Sequence, residues 1–190
     1  MLTKLLSLLN SVHPLDAETE SIINQYFEII EVPRRHMLLK DGEICNYTYF
    51  MLSGLVRVFY IKDDEEVSAM FSEENDILNS PYSFYSRKPG YHFIETLQPS
   101  VLARISYKDL QQLYLRCPIL NHIGRVITEN YFVKSEERLY LIRNHTAEER
   151  YAYFLDNYPS LVQKLPLKYI ASYLGITPET LSRTRSKIRR

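Results

Sequence analysis

Two short helical segments joined by a glycine turn near the end of the chain constrain it more than any other feature. The first segment has apolar residues at positions 0, 3, 4 and 7 of one helical face: Leu167, Ile170, Ala171 and Leu174. Gly175 ends this segment, because glycine readily takes the positive φ of a helix C-terminus. Thr177 is a suitable N-cap for a second helix, and Pro178 suits its first position. The pattern predicts a helix-turn-helix.

The second segment, residues 178–189, presents a polar face that suits DNA. Glu179 and Arg183 lie one turn apart in its first half. An arginine can bind guanine O6 and N7 together, and a glutamate can accept from cytosine N4. Three hydroxyl residues lie within reach of phosphates or base edges: Thr177, Thr180 and Ser182. Four cations suit phosphate contact: Arg185, Lys187, Arg189 and Arg190.

Charge along the chain favours the same partner. Residues 164–190 hold seven Lys or Arg and one acid, a local +6, which leaves 16 basic and 22 acidic residues, or −6, before them. A basic end alone is often only a solubilising surface. The competing interpretation of Glu179 and Arg183 is an ordinary surface ion pair, worth a few tenths of a kcal/mol. The competing function is a ligand-binding or protein-interaction module whose helix-turn-helix no longer binds DNA.

The segment before the helix-turn-helix predicts a larger β-rich domain. Asp16 can cap a helix whose apolar residues recur at helical spacing through Ile30, ending near Pro33. From residue 34 to about 106, short β-branched and aromatic runs alternate with turn residues. Strands so short and so regularly spaced predict a closed or double-sheet β structure such as a jelly roll. The expected fold class is α+β.

A long helix is predicted over 119–143, and it separates two domains. Such a helix either packs within its own chain or pairs with a second copy, and pairing is favoured because a two-fold assembly needs a shared element. Gly124 would permit close approach there. Thr146 and Glu149 then form a capping box. The expected domains are 1–117, the connecting helix 118–143, and 144–190.

The residue inventory argues against an enzyme. The five histidines form no close pair, and the five glycines include no phosphate-binding loop. Cys45 and Cys117 match no metal or redox spacing and are expected to be reduced packing residues. We therefore expect no metal and no cofactor. We also expect no membrane segment, because the apolar N-terminus is too short to span a bilayer. The reduced cysteines favour a cytoplasmic location.

Nearly the whole chain resembles the Crp/Fnr family of bacterial transcription regulators. The resemblance rests on FMLSGLVRV, ISYKDLQQL, TAEERY and, most specifically, KYIASYLGITPETLSR, the last similar to Bacteroidetes-type members. It implies a homodimer in which a cyclic-nucleotide-binding-like jelly roll controls two helix-turn-helix heads. It also implies double-stranded DNA and RNA polymerase as partners. Glu179 and Arg183 match the base-reading positions of the family, whereas Pro178 replaces its usual arginine, which implies altered readout.

The sensor half departs from family members that bind cyclic AMP. Their cassette has Gly-Glu near its start and Arg-Ser near its end, where this chain has Asn79-Ser80 and Gly90-Tyr91. A phosphate without the arginine loses a charge-assisted contact, so we expect no ordinary cyclic-AMP binding. An unknown effector would use a different pocket, with packing as the competing role of its residues. The candidate pocket residues are Asn79, Ser80, Tyr82, Arg87, Tyr91 and His92.

Two further family features are expected to differ. Two cysteines cannot supply the four thiolates of the iron-sulfur branch. Family members usually carry a β-hairpin wing after the recognition helix, whereas this sequence stops at Arg190. We therefore expect fewer phosphate contacts and a helix-turn-helix domain that lacks a full wing.

Overall fold

The computed structural model describes residues 2–188, which fall into two compact units. Residues 2–60 and 70–128 form the first unit, and residues 61–69 and 129–188 form the second. The tip of one β hairpin therefore belongs to the unit that holds the C-terminal helices.

The first unit is built on two four-stranded sheets, one in the order β1-β8-β3-β6 and the other in the order β2-β7-β4-β5. The pairings of β8 with β1 and β3, and of β7 with β2 and β4, are antiparallel. This β-rich unit followed by helices confirms the predicted α+β fold with a jelly-roll-like domain. The strands are β1 (Glu28–Val32), β2 (Met37–Leu39), β3 (Tyr47–Ser53), β4 (Leu55–Lys62), β5 (Glu65–Glu73), β6 (Ile77–Leu78), β7 (Phe93–Thr96) and β8 (Ser100–Ser106).

Ser53-Gly54 and Lys62-Asp63-Asp64 are turn-forming sequences, and both lie where the backbone takes positive φ. Asp63 and Asp64, with φ of 52° and 62°, join β4 to β5 as a tight hairpin requires. Gly54 joins β3 to β4 at φ 103°, and a Cβ there would lie 2.2 Å from Ser100 Oγ. Only glycine fits this close approach.

One sequence prediction about the N-terminal helices is wrong. The second helix ends at Tyr26 rather than continuing through Ile30, and Glu28–Val32 forms strand β1. Ile29, Ile30 and Val32 are β-branched, and the strand pairs over its full length with β8. Tertiary pairing therefore outweighs the helical spacing of the apolar residues. Asp16 does cap the helix, since its Oδ1 accepts from Thr19 N at 2.7 Å.

Four helices pack with the first sheet around one cluster of buried apolar residues. Leu5, Ile23, Phe50, Ile105 and Ile123 are nearly inaccessible there. A further short helix follows β6. The helices are α1 (Thr3–Val12), α2 (Ala17–Tyr26), α3 (Pro81–Ser86), α4 (Tyr107–Arg116) and α5 (Ile119–Asn144).

The long helix α5 begins in the first unit and ends in the second. Leu120 and Ile123 are buried in the first unit. Gly124 was expected to admit a second copy, but a Cβ there would lie 2.5 Å from the Tyr114 hydroxyl of the same chain. The space at Gly124 is thus used within the chain.

The C-terminal helices of the second unit pack around Phe154, Ile170, Leu174 and Leu181, all of which are almost completely buried. Thr146 accepts from Glu149 N while the Glu149 carboxylate accepts from Thr146 N, so the predicted capping box is formed. These helices are α6 (Ala147–Asn157), α7 (Pro159–Lys164), α8 (Leu167–Leu174) and α9 (Pro178–Ile188).

Candidate nucleic-acid interface

The turn between α8 and α9 has the geometry that the sequence predicts. Gly175 takes the left-handed conformation, at φ 65° and ψ 36°, and its N–H donates to carbonyls of the last turn of α8. Ile176 N also donates back, to Ala171 O at 3.0 Å. Thr177 Oγ1 accepts from Thr180 N at 3.2 Å and so caps α9. Three residues, Gly175 to Thr177, thus connect α8 to α9.

The inner face of α9 holds it against α6 and α8. Leu181 is completely buried and Thr184 is 4% exposed, while Ala171 on α8 leaves room for close approach. Ile188 lies seven residues after Leu181, a spacing that predicts the same inward face, but its side chain lies outside the described residues. Thr184 was not singled out from the sequence, because a threonine gives no apolar periodicity.

The outer face of α9 is polar and exposed over its first two turns. Glu179, Ser182 and Arg183 are exposed, and Thr180 is partly exposed beside them. Arg183 Nη2 lies 3.4 Å from Thr180 Oγ1, a long hydrogen bond that leaves most guanidinium donors facing solvent. The predicted base-reading pair therefore lies on one open face.

Glu179 is held in its charged, acceptor form at neutral pH. Its own backbone N–H and the Thr177 hydroxyl donate to its carboxylate and lower its pKa, and the charge of Arg183 lowers it further. A carboxylate accepts hydrogen bonds but donates none. Glu179 can thus recognise an amino group such as cytosine N4, but not a second acceptor.

The predicted phosphate-binding cations have different surroundings. Lys187 Nζ contacts the Glu148 carboxylate of α6, and both side chains are more than half exposed. Such a pair is weak and its lysine can exchange to a phosphate. Arg185 is partly exposed. Arg189 and Arg190 lie outside the described residues.

Two arginines fix the second unit around α8, and neither was identified from the sequence. Arg150 donates to Leu174 O at the end of α8, and to Ile142 O and His145 O where α5 ends. Arg138 on α5 donates to Tyr173 O, and its guanidinium lies 4.3 Å from the centre of the Tyr173 ring. A positively charged side chain near a helix C-terminus interacts favourably with the last carbonyls of that helix.

The hairpin tip 61–69 is bonded to the same helix. Arg138 also donates to Ser68 O and Ala69 O. Ser172 Oγ accepts from Ser68 N at 3.1 Å and donates to Ser68 Oγ at 2.9 Å. No sequence pattern links residues a hundred positions apart, so this connection could be found only in the structure.

The structure brings four of the six candidate effector residues together. Ser80 Oγ lies 3.0 Å from His92 Nδ1, and the Tyr91 ring centre is 4.5 Å from His92 and 5.8 Å from Tyr82. Tyr82 and Tyr91 are each about half exposed. We call Ser80, Tyr82, Tyr91 and His92 the aromatic cluster.

The other two candidates lie elsewhere. Arg87 donates to Cys45 O at 2.8 Å and to Asn46 Oδ1, and its guanidinium lies 4.3 Å from the centre of the Tyr107 ring. It therefore holds a loop in place. Asn79 is buried and donates to Thr48 Oγ1 at 3.4 Å, away from the aromatic cluster.

A metal centre and a membrane span are both missing from the described part of the chain. Residues 2–188 contain no group of three or more His, Cys, Asp or Glu side chains arranged to hold a metal ion. Within the same residues, no helix combines the length and hydropathy needed to cross a bilayer.

Comparison with known proteins points to one family of regulators. Residues 29–117 match the model of the cyclic nucleotide-binding domain. The chain is 27% identical over 181 residues to the fumarate and nitrate reduction regulatory protein of Vibrio cholerae, covering 86% of this chain and 71% of that one. It is 25% identical over 187 residues to the anaerobic regulatory protein of Pasteurella multocida, covering 90% and 68%.

A solved structure with the same fold carries the family name. It is a putative transcriptional regulator of the crp/fnr family from Eubacterium rectale, with a TM-score of 0.71 and 17% identity. The match covers 96% of this chain and 86% of that one. The fold is therefore shared over both units, including the helices that form the candidate interface.

Proposed function

The chain belongs to the Crp/Fnr family of transcription regulators, and from that premise we propose that it is a homodimer that reads a two-fold related DNA site through α9. The single observation that carries the proposal is the open face of α9. There Glu179 and Arg183 are exposed side by side on a helix whose other face is buried. This is the arrangement in which a recognition helix enters the major groove.

Dimerisation through α5 is supported by an exposed apolar surface on that helix. Residues 128–137 are all exposed, although they include Tyr131, Phe132 and Val133. Val133 and Tyr140 are seven residues apart, as are Phe132 and Leu139, which is the repeat of paired helices. Apolar side chains in such a row favour a partner helix over water.

We assign the domains in the same terms. Residues 1–117 form a sensor domain, 118–143 the dimerisation helix and 144–190 the DNA-binding domain. Any effector would act by shifting the two DNA-binding domains of the dimer relative to each other. Their α9 helices bind DNA together only when their spacing matches successive major grooves, about 34 Å apart. RNA polymerase is the further partner that the family suggests.

The alternative is a protein-interaction module that has lost DNA binding, and a competition gel separates the two. Binding to a mixed-sequence duplex is measured at a series of salt concentrations. A protein that neutralises DNA phosphates releases their counterions. The logarithm of its binding constant therefore falls steeply and linearly with the logarithm of the salt concentration. The variant Arg185→Ala with Lys187→Ala should have a shallower slope, while Glu148→Ala leaves the slope unchanged or steeper. A flat response of the unsubstituted protein favours the interaction module.

A further inference from the structure

A cavity of about 100 Å³ lies in the first unit, outside the aromatic cluster. Its lining residues come mainly from helices α1 to α5 and from strands β3, β6 and β8. Most of its lining is aliphatic or aromatic, as with Leu9, Ile23, Leu113 and Ile127. An apolar cavity of about 150 Å³ binds benzene or xenon, so this smaller one has room for at most a single small ring.

The cavity and the aromatic cluster have no residue in common in the described structure. Asn79 lines the cavity, whereas its neighbour Ser80 contacts His92 of the aromatic cluster. Tyr82, Tyr91 and His92 do not line the cavity. A molecule in the cavity would therefore leave the aromatic cluster untouched.

A buried amide gives the cavity a polar point of attachment. Asn79 is 9% exposed, and in the described structure its side chain makes one hydrogen bond, from Nδ2 to Thr48 Oγ1 at 3.4 Å. That distance is long, and an amide side chain can make up to four such bonds. A buried polar group costs free energy unless it is bonded. Asn79 thus has hydrogen-bonding capacity left for a polar group of a molecule in the cavity that it lines.

A second polar group is held against the helix α5. The Tyr114 hydroxyl lies over Gly124, where a Cβ would be only 2.5 Å from it. Burial raises the pKa of Tyr114, so this hydroxyl stays protonated and neutral. The other polar lining residues are hydroxyl-bearing too, and none of the described lining residues is an Asp, Glu, Lys, Arg or His, which disfavours a charged occupant.

We propose that this cavity binds a small, neutral, mostly apolar molecule of at most one ring, whose hydroxyl or N–H group donates to Asn79 Oδ1. The walls exclude an ionised ligand such as a phosphate, because no cation lines the cavity in the described structure. Gly124, Ile127 and Thr128 of α5 form part of the wall. A bound molecule therefore contacts the helix that continues into the second unit. Only this regulatory consequence rests on the proposed function; the binding itself does not.

The test uses phenol and toluene as probes, because they have similar size and only phenol has a donor. Binding to the full chain is followed by NMR chemical-shift titration. Asn79→Ala should weaken the affinity for phenol at least fivefold and change the affinity for toluene by less than twofold. Ile127→Phe should abolish both by filling the cavity, with Leu110→Phe as a second filling variant. Tyr91→Ala, in the aromatic cluster, is the matched control and should change neither.

Three outcomes would overturn the proposal. One is the absence of saturable phenol binding to the unsubstituted protein. Another is phenol binding that Asn79→Ala leaves unchanged, and a third is binding that Tyr91→Ala removes. Since no DNA is present in these titrations, their failure would leave the function proposed for α9 untouched.

Discussion

Arg183 and Lys187 lie one turn apart on α9, yet their surroundings give them different roles. Arg183 is exposed beside Glu179 near the start of the helix, where a recognition helix contacts base edges. Lys187 contacts Glu148 of α6 and lies later in the helix. An arginine fork fits guanine, whereas a lysine beside a phosphate acts as a point charge.

The substitution Arg183→Ala should therefore reduce binding to the preferred site by about 1 to 3 kcal/mol and relax one base position. Lys187→Ala should weaken preferred and random duplexes alike and lower the salt slope by about 1. Both effects can be measured by fluorescence anisotropy on the two duplexes. Equal losses on both duplexes for Arg183→Ala would remove this residue from base reading.

Substitutions at Gly175 test whether the turn requires glycine for its backbone conformation or for the lack of space for a side chain. A Cβ at this position would be 3.5 Å from Arg150 Nη1 and 3.8 Å from Ile142 Cγ2, which are ordinary contacts. The cost of Gly175→Ala is therefore that of holding alanine at φ 65°, about 1 kcal/mol. Thermal unfolding should show this loss, and Gly175→Asn should lose less, because asparagine tolerates this conformation. An unchanged Tm for both would contradict the account.

Helix α5 and the hairpin tip 61–69 are joined to α8 through one side chain. Arg138 donates to three backbone carbonyls, those of Ser68, Ala69 and Tyr173. Hydrogen bonds from a charged donor are stronger than neutral ones, and removing the donor leaves the acceptors unsatisfied. Arg138 thus stabilises three separate elements of the second unit.

We expect Arg138→Ala to lower the free energy of unfolding by about 2 to 4 kcal/mol, as breaking a buried network does. Arg138→Lys keeps the positive charge but lacks the planar guanidinium with its several donors. It should therefore retain only part of the stability that Arg138→Ala removes. Arg143→Ala is the matched control, because Arg143 is exposed on the same helix. Chemical denaturation measures all three. If Arg138→Ala and Arg143→Ala behaved alike, the joining role of Arg138 would be refuted.

Elements with a local signal were predictable from the sequence. The Gly175 turn, the caps at Asp16 and Thr146, and the long helix each depend on residues within a few positions of one another. Strand β1 was missed because its partner β8 lies some seventy residues away. The contacts of Arg138 with Ser68 were missed for the same reason. Local chemistry determines caps and turns, whereas long-range pairing appears only after folding.

The candidate sites divide in the same way. The exposed face of α9 follows from helical spacing alone, so Glu179 and Arg183 were correctly placed together. The effector residues were grouped by neighbourhood along the chain, which does not determine the side of the sheet that each one faces. Adjacent Asn79 and Ser80 lie in different surroundings, and Arg87 is engaged with the loop at Cys45. The Bacteroidetes-type resemblance stays a prediction.

For the whole molecule, the exposed surface of α5 determines the expected assembly. A charge at Val133 would lie within the apolar row that includes Phe132 and Tyr140. Val133→Glu should therefore shift the protein from dimer to monomer in analytical ultracentrifugation and reduce specific DNA binding, because one head contacts only a half-site. Lys134→Glu places an acid about 160° around the helix from Phe132 and about 100° from Val133, outside the apolar row, and should leave the dimer intact. A dimer that survives Val133→Glu would place the interface elsewhere.

The central claim is that two copies of α9 read a two-fold related site. The most direct test is selection of bound duplexes from a random-sequence pool by the purified protein, without added ligand, alongside the variant Arg183→Ala. We predict an enriched palindrome with half-sites one helical turn apart, and relaxed preference at one position of each half-site for the variant. No enrichment, with or without cell extract as a source of effector, would contradict the claim.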